Sequence, residues 1–144
     1  MRAGRRIAFD YGQARIGVAG SDISGLIASP IATLEASDVD LSDKILQIVA
    51  QYEPIYLVVG EPKHLSGASS PSLVAAHEFG DLLRRITDCP VHFIDERMST
   101  VSAARTLRNA GHDARASKKM IDAMAAVAIL ESALDRERIV GYLD

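Results

Sequence analysis

The stretch RRIAFDYGQARIGVAGS, residues 5–21, decides the fold. It contains two strand-like segments, residues 5–11 and 15–21, separated by turn residues at Gly12 and Gln13. A third segment of the same kind, LIASPIATL at residues 26–34, follows the turn at Ile23, Ser24 and Gly25. We therefore predict that the chain begins with a meander of three antiparallel strands.

Further along the chain, helical and strand patterns alternate. Apolar residues at helical spacing mark a helix that starts near residue 41 and ends before Pro54, and residues 55–59 form a short, continuous apolar strand. A second helix starts at Ser70-Pro71 and ends before Cys89-Pro90, and residues 91–94 return as a strand. A helix over 99–111 then precedes a last, largely buried helix. The candidate N-caps of the four helices are Asp40, Ser70, Ser99 and Ser117. The pattern predicts an α/β fold with one mixed five-stranded sheet, three antiparallel strands followed by two parallel strands, flanked by helices.

Composition narrows the class of protein. With 144 residues, 48% of them hydrophobic, we expect one domain over residues 1–144. We see no apolar run long enough to cross a membrane and no signal peptide, so we expect a cytoplasmic protein. Cys89 is the single cysteine, which excludes an internal disulfide. The net charge of −3 provides no overall positive field for a nucleic acid, which would have to meet a local basic patch or bound cations.

Two acidic residues stand in apolar surroundings. Asp10 lies near the carboxyl end of the first predicted strand, where open α/β sheets place ligands, although it could instead stabilise the turn at Gly12. Asp122 lies in the second turn of an otherwise apolar helix and needs a partner, which could be a metal ion or simply Lys118 or Lys119 one turn earlier. Both residues are therefore candidates for chemistry with an ordinary structural alternative.

Two further acids follow predicted strands. Glu96 belongs to the run Asp95-Glu96-Arg97 after the last strand, a run that could also be a solvated charged loop. Glu61 follows the fourth strand and begins the one long loop, residues 61–69, which also contains Lys63. We interpret Lys63 as a possible contact to a nucleic-acid backbone.

Four motifs in series resemble the YqgF/RuvX family in order and spacing, over nearly the whole chain. They are DYGQARIGVA at 10–19, VVGEP at 58–62 with Gly67, DERMST at 95–100, and Asp122 followed by AMAAVAIL. The resemblance implies an RNase H-like fold related to the RuvC resolvases. It also implies a nuclease that matures the 5′ end of pre-16S rRNA in ribosome biogenesis, or a Holliday junction resolvase.

The resemblance also assigns residues by motif. It places Asp10, Glu96 and Asp122 as the catalytic acids and metal ligands. The positions that it implies for holding phosphate groups are Arg15, Arg97, Ser99 and Thr100. The chain departs from the usual pattern at Ala14, where many members have lysine, and at Glu61, where many have an apolar residue. Glu61 could thus be a ligand in place of Glu96, and we favour Glu96.

The implied chemistry is phosphodiester hydrolysis with two Mg²⁺ or Mn²⁺ ions held by carboxylates, with Asp10 as the bridging ligand. The expected partner is a nucleic acid, either pre-rRNA in a ribosomal context or branched DNA, bound by a monomer or weak dimer and without a membrane. A basic rim could assist, if the fold brings its members near the site: Arg2, Arg5, Arg6, Arg15, Arg115, Lys118 and Lys119.

Other readings make weaker use of these residues. The histidines, His64, His77, His92 and His112, lack the spacing of a zinc site. A non-catalytic rRNA-binding assembly factor would use the same surface without cleavage. A phosphotransferase fragment would need a second domain and a second phosphate loop.

Overall fold

The computed structural model describes residues 1–62, 70–95, 114–141 and 143. They form one five-stranded sheet with helices on both faces. The strands are β1 (Arg6–Tyr11), β2 (Arg15–Ser21), β3 (Ala28–Glu35), β4 (Tyr56–Glu61) and β5 (Val91–Asp95). The helices are α1 (Leu41–Tyr52), α2 (Pro71–Ile86) and α3 (Ala114–Val140).

The sheet has the order β3-β2-β1-β4-β5. β1, β2 and β3 pair antiparallel, whereas β4 lies parallel to β1 and β5 lies parallel to β4. The predicted mixed sheet of three antiparallel and two parallel strands is therefore confirmed. Because β1, β4 and β5 run in one direction, their carboxyl ends meet at the same edge of the sheet.

Side chains alternate between the two faces of each strand, and this alternation creates two separate cores. Ile7 and Phe9 of β1 point to the side of α1 and α2, where they pack with Phe79. Ala8, between them, points to the opposite side and packs with α3. The predicted apolar stretch of the last helix supplies that second core, since Ala126, Ile129 and other residues of α3 are almost fully buried.

Some element boundaries differ from those expected. The third strand begins at Ala28 rather than residue 26, because the Asp22 carboxylate accepts hydrogen bonds from the backbone N–H groups of Leu26 and Ile27 and holds both in the turn. The last helix includes Ala114 and so does not start at Ser117. Alanine and arginine, at residues 114–116, extend a helix readily, which explains the earlier start.

The two predicted caps behave differently. Ser70 caps α2 through its hydroxyl, which accepts a hydrogen bond from the Leu73 N–H at 3.1 Å, with Pro71 in the first turn. Asp40 occupies the N-cap of α1 but makes no side-chain capping bond. The helix predicted over 99–111 lies outside the described residues. Within the described ranges, no helix is long and apolar enough to cross a membrane.

Candidate active site

Asp10 lies on the α3 face of the sheet. In β1 the side chains of residues 6, 8 and 10 share one face, and Arg6 and Ala8 contact α3 on that face. Asp10 is near the carboxyl end of the strand and partly buried. The structure therefore places this carboxylate at the sheet edge that the sequence predicted, and on the side of the last helix.

Asp122 lies on the same face of the sheet because Gly17 leaves room for its backbone. Gly17 in β2 is the cross-strand partner of Asp10. A Cβ atom at Gly17 would overlap the backbone of Asp122, chiefly its carbonyl oxygen. The missing side chain thus lets the backbone of Asp122 lie directly on the sheet at the cross-strand partner of Asp10, although 112 positions separate the two acids in the sequence, since 122 − 10 = 112.

The carboxylate of Asp122 is paired with Arg15. The Arg15 Nε–H donates to Asp122 Oδ2 at 2.7 Å, and the two side chains remain 32% and 21% exposed. Arg15 starts β2 and lies two positions before Gly17, so its side chain shares the α3 face with Asp10. The side chains of Lys118 and Lys119, the local partners considered for Asp122, lie outside the described part of the chain.

The turn between Asp10 and Arg15 is held by backbone contacts. The Gly12 N–H donates to the Arg15 carbonyl at 3.0 Å, and a Cβ on Gly12 would come within 2.7 Å of that oxygen. A side chain at this position would force the turn to open. Gly12 therefore has a structural reason to be glycine, and the tight turn fixes the separation of Asp10 and Arg15.

Glu61 faces the other way. In β4, Leu57, Val59 and Glu61 share the face covered by α1 and α2, opposite the face of Asp10 and Asp122. Its carboxylate Oε2 lies 2.6 Å from His77 Nε2 of α2, and the His77 ring stacks on Phe93 with a centroid distance of 4.3 Å. Asp95, the cross-strand partner of Glu61, has the same orientation. Glu61 is thus engaged on the α2 side of the sheet.

The remaining predicted site residues lie outside the described residues. They are Glu96 among the acids, and Lys63, Arg97, Ser99 and Thr100 among the groups assigned to nucleic-acid binding. The structure accordingly brings together Asp10, Asp122 and Arg15 from the predicted set. Glu96 follows Asp95 directly in sequence and remains a prediction.

The other end of α3 is anchored by a buried ion pair. Arg6 donates to Glu137 Oε2 at 2.9 Å from a fully buried position, and the Tyr56 hydroxyl donates to Glu137 Oε1 at 2.8 Å. Burial would raise the pKa of Glu137, but the hydrogen bonds from Arg6 and Tyr56 outweigh it and hold that pKa below its ordinary value. Arg6 was expected to join a basic rim near the site. This is wrong, because Arg6 lies at the amino end of β1, where it is buried and paired with Glu137.

The chemistry of the donors fits a hard divalent cation. Asp10 and Asp122 offer carboxylate oxygens from two separate elements on one face, which is the ligand type that Mg²⁺ and Mn²⁺ prefer. Among the described residues, no group of three or more His, Cys, Asp or Glu side chains could hold a metal ion. A complete site would therefore need a ligand beyond this pair.

Sequence reasoning missed two residues of this region. Gly17 had a signal, because a glycine inside a strand often marks the close approach of another backbone. His77 had none, since its partner Glu61 is 16 residues away and the contact depends on how α2 packs on the sheet. The partner of Asp122 was likewise sought nearby in the sequence and is instead provided by the distant Arg15.

The fold defines the class: an α/β protein with an RNase H-like, RuvC-like fold. The structure of Thermus thermophilus RuvC in complex with a Holliday junction substrate aligns with a TM-score of 0.63 over 95% of this chain and 96% of that chain, at 13% identity. A second structure of T. thermophilus RuvC aligns with a TM-score of 0.58 over 94% of this chain and 96% of that chain, at 15% identity. At this identity the likeness concerns the fold.

The chain belongs to the RuvX family, whose profile, described as "RuvX: Holliday junction resolvase", matches residues 4–136. A relative from Streptomyces coelicolor is 44% identical over 143 residues, covering 98% of this chain and 86% of that protein, and is named "Putative pre-16S rRNA nuclease". A relative from Clavibacter michiganensis with the same name is also 44% identical, over 98% of this chain and 89% of its own length. The predicted family and RNase H-like fold are confirmed.

Proposed function

We propose that this protein is a metal-dependent endonuclease that hydrolyses phosphodiester bonds, and that its substrate is the 5′ end of pre-16S rRNA. The observation that carries the proposal is the meeting of Asp10 and Asp122 on one face of the sheet, made possible by Gly17. The names of the relatives support the choice of an RNA substrate.

The proposed acidic set is Asp10, Asp122 and Glu96. Glu96 is preferred to Glu61 because Glu61 faces α2 and is paired with His77, on the side of the sheet away from Asp122. In sequence, Glu96 is two positions after Ile94, a residue of β5 that packs against α3. Glu96 also directly follows, in sequence, the carboxyl end of β5, which shares a sheet edge with the carboxyl end of β1.

The residues of the chain would divide the work as follows. Divalent cations, when bound, would activate a water molecule and stabilise charge on the attacking and leaving oxygens. Asp10 and Asp122 would hold the cations, and the rigid β1–β2 turn would fix Asp10. Arg15 would hold a phosphate group of the substrate by its planar guanidinium. Lys63, Arg97, Ser99 and Thr100 are proposed as further contacts to the nucleic-acid backbone.

A second candidate is a Holliday junction resolvase, and the family description favours it. A resolvase must cut two symmetric strands, so it should act as a dimer. For the rRNA nuclease we propose a monomer or weak dimer that works in the cytoplasm and forms a single domain over residues 1–144. In support of the last point, α3 packs on the same sheet that residues 6–95 build.

The test is a cleavage assay with two substrates, a pre-16S rRNA 5′-leader fragment and a four-way DNA junction, in Mg²⁺, Mn²⁺ or EDTA. Asp10→Asn and Asp122→Asn are compared with Asp135→Asn, a matched change at an exposed acid on α3 that pairs with Arg138. We expect metal-dependent cleavage of the RNA that both site variants lose and Asp135→Asn keeps. Cleavage of the junction alone would select the resolvase, and RNA binding without any cleavage would select the assembly factor.

A further inference from the structure

The ion pair between Arg15 and Asp122 joins two groups that the proposed reaction needs for different partners. Asp122 is a candidate ligand of the cation, and Arg15 is a candidate contact of the phosphate. In the structure Arg15 Nε instead donates to Asp122 Oδ2 at 2.7 Å. Arg15 therefore occupies an oxygen of Asp122 that a cation would use. Asp122 in turn occupies an N–H group of Arg15 that a phosphate would use.

The geometry allows both groups to change partner. Both side chains are partly exposed, at 32% for Arg15 and 21% for Asp122. An exposed pair of this kind is weak, since solvent screens the charges and two side chains lose freedom to form it. By contrast, Glu137, which lies on the same helix as Asp122, forms a buried pair with Arg6 of β1. Of these two pairs, the one at the candidate site is the one that can open.

We propose that Arg15 is a positioning residue that switches between two partners, the carboxylate of Asp122 in the free protein and a phosphate group of the nucleic acid in the complex. The inference rests on the proposed function. A phosphate that takes the Arg15 guanidinium releases Asp122 Oδ2 for a cation, and a cation that takes Asp122 releases Arg15 for the phosphate. Binding of one partner therefore favours binding of the other by linkage.

The first test is Mn²⁺ binding to the intact chain, followed by the paramagnetic resonance of free Mn²⁺. We expect Arg15→Gln to bind Mn²⁺ about two to five times more tightly than the wild type, which corresponds to the strength of an exposed pair. Arg138→Gln is the matched control, because it breaks the pair with Asp135, also on α3, and should leave Mn²⁺ affinity unchanged. Thermal melting checks that each variant is folded.

The second test separates a switch from a simple loss of positive charge. Mn²⁺ affinity is measured with and without a twelve-nucleotide oligothymidylate, whose integrity is checked on a gel. The oligonucleotide should tighten Mn²⁺ binding in the wild type and do so less in Arg15→Gln. The Nε–H resonance of Arg15 should also shift when Mg²⁺ is added to the wild type, but not when it is added to Asp122→Asn.

The outcomes distinguish the switch from the function on which it rests. If Mn²⁺ binding requires Asp122 but the oligonucleotide tightens it as much in Arg15→Gln as in the wild type, the switch is wrong, even where Arg15→Gln changes the affinity itself, and the proposed metal site stands. If Asp122→Asn leaves Mn²⁺ binding unchanged, the proposed metal site is wrong and the switch is overturned with it.

Discussion

Gly17 and Asp122 touch through their backbones: the sheet offers no side chain at Gly17, and the helix carrying Asp122 lies in the space that a Cβ would occupy. Gly17→Ala should therefore push α3 away from β2 and cost about 1–3 kcal/mol of unfolding free energy. Urea denaturation measures this loss.

Gly20→Ala, in the same strand, is the matched control for that change. Its added Cβ would meet the end of the flexible Ile31 side chain, which can rotate away, rather than a backbone. We expect a loss below about 1 kcal/mol. Equal losses in the two variants would contradict the assignment of Gly17 as the contact that seats α3.

Under the proposed function, substitutions of Asp10 and of Glu61 should lower the rate of cleavage to very different extents. Losing an outer partner of a metal ligand already costs about 10–100-fold, so Asp10→Asn, which alters a proposed ligand itself, should lose at least about a hundredfold. Glu61→Gln should lose less than about tenfold, because Glu61 pairs with His77 on the other face. A larger loss in Glu61→Gln than in Asp10→Asn, measured as metal-dependent cleavage rate, would reassign the ligand.

The buried pair of Arg6 and Glu137 should make a large contribution to stability. Glu137→Ala would leave a fully buried guanidinium without a negative charge beside it, although it still donates to the carbonyls of Gly4 and Arg2, and we expect a cost of about 3–5 kcal/mol at neutral pH. The double change Arg6→Met with Glu137→Leu removes both charges and should recover much of the loss. Denaturation curves of the wild type, Glu137→Ala and the double variant measure these losses. If the double variant is as unstable as Glu137→Ala, the uncompensated charge of Arg6 is not the cause of the loss.

The same carboxylate predicts an acid-sensitive stability. The pKa of Glu137 is lower in the folded protein than its ordinary value, so its contribution is fully present above the unfolded pKa of about 4.3 and is lost as the pH falls through the folded pKa. Wild type should therefore exceed Glu137→Gln in stability at pH 7 and approach it in strong acid. Urea titrations over that pH range test the trend, and a constant difference would disprove it.

The two helix caps provide a test that is independent of function. Ser70→Ala removes the hydrogen bond to the Leu73 N–H and should destabilise the protein by about 1 kcal/mol. Asp40→Ala removes no capping bond and should cost less than about 0.5 kcal/mol. Thermal melting of both variants is sufficient, and the reverse order would show that the caps have been misassigned.

The sequence predicted the sheet well because its signals are local. Alternating apolar residues and turn residues located β1, β2 and β3, and a continuous apolar run located β4 as a strand buried on both faces. The predicted boundaries of β3 and α3 were less accurate. For α3, Asp113 is also of a residue type favoured at N-caps and directly precedes Ala114 in the sequence, but Ser117 was preferred, and the Asp22 side chain shifted the start of β3.

The site was predictable only in part, for a physical reason. Asp10 and Asp122 stood out because each is an acid in apolar surroundings, and the family resemblance then paired them. Their partners depend on packing between distant elements, as the contact of Arg15 with Asp122 across 107 positions illustrates. The same limit applied to Glu61. The face of the sheet that Glu61 occupies is known only from the strand register and from the packing of α2 on the sheet.

The long helix α3 is pinned at two points, at Gly17 near Asp122 and at Arg6 near Glu137. Asp122 and Glu137 lie fifteen positions apart, since 137 − 122 = 15, which is about 22 Å of helix. A rod fixed at two such distant points can neither slide along its axis nor roll about it. The place of the acid that α3 delivers to the sheet therefore depends on these two contacts with β1 and β2 rather than on the chain that leads into the helix.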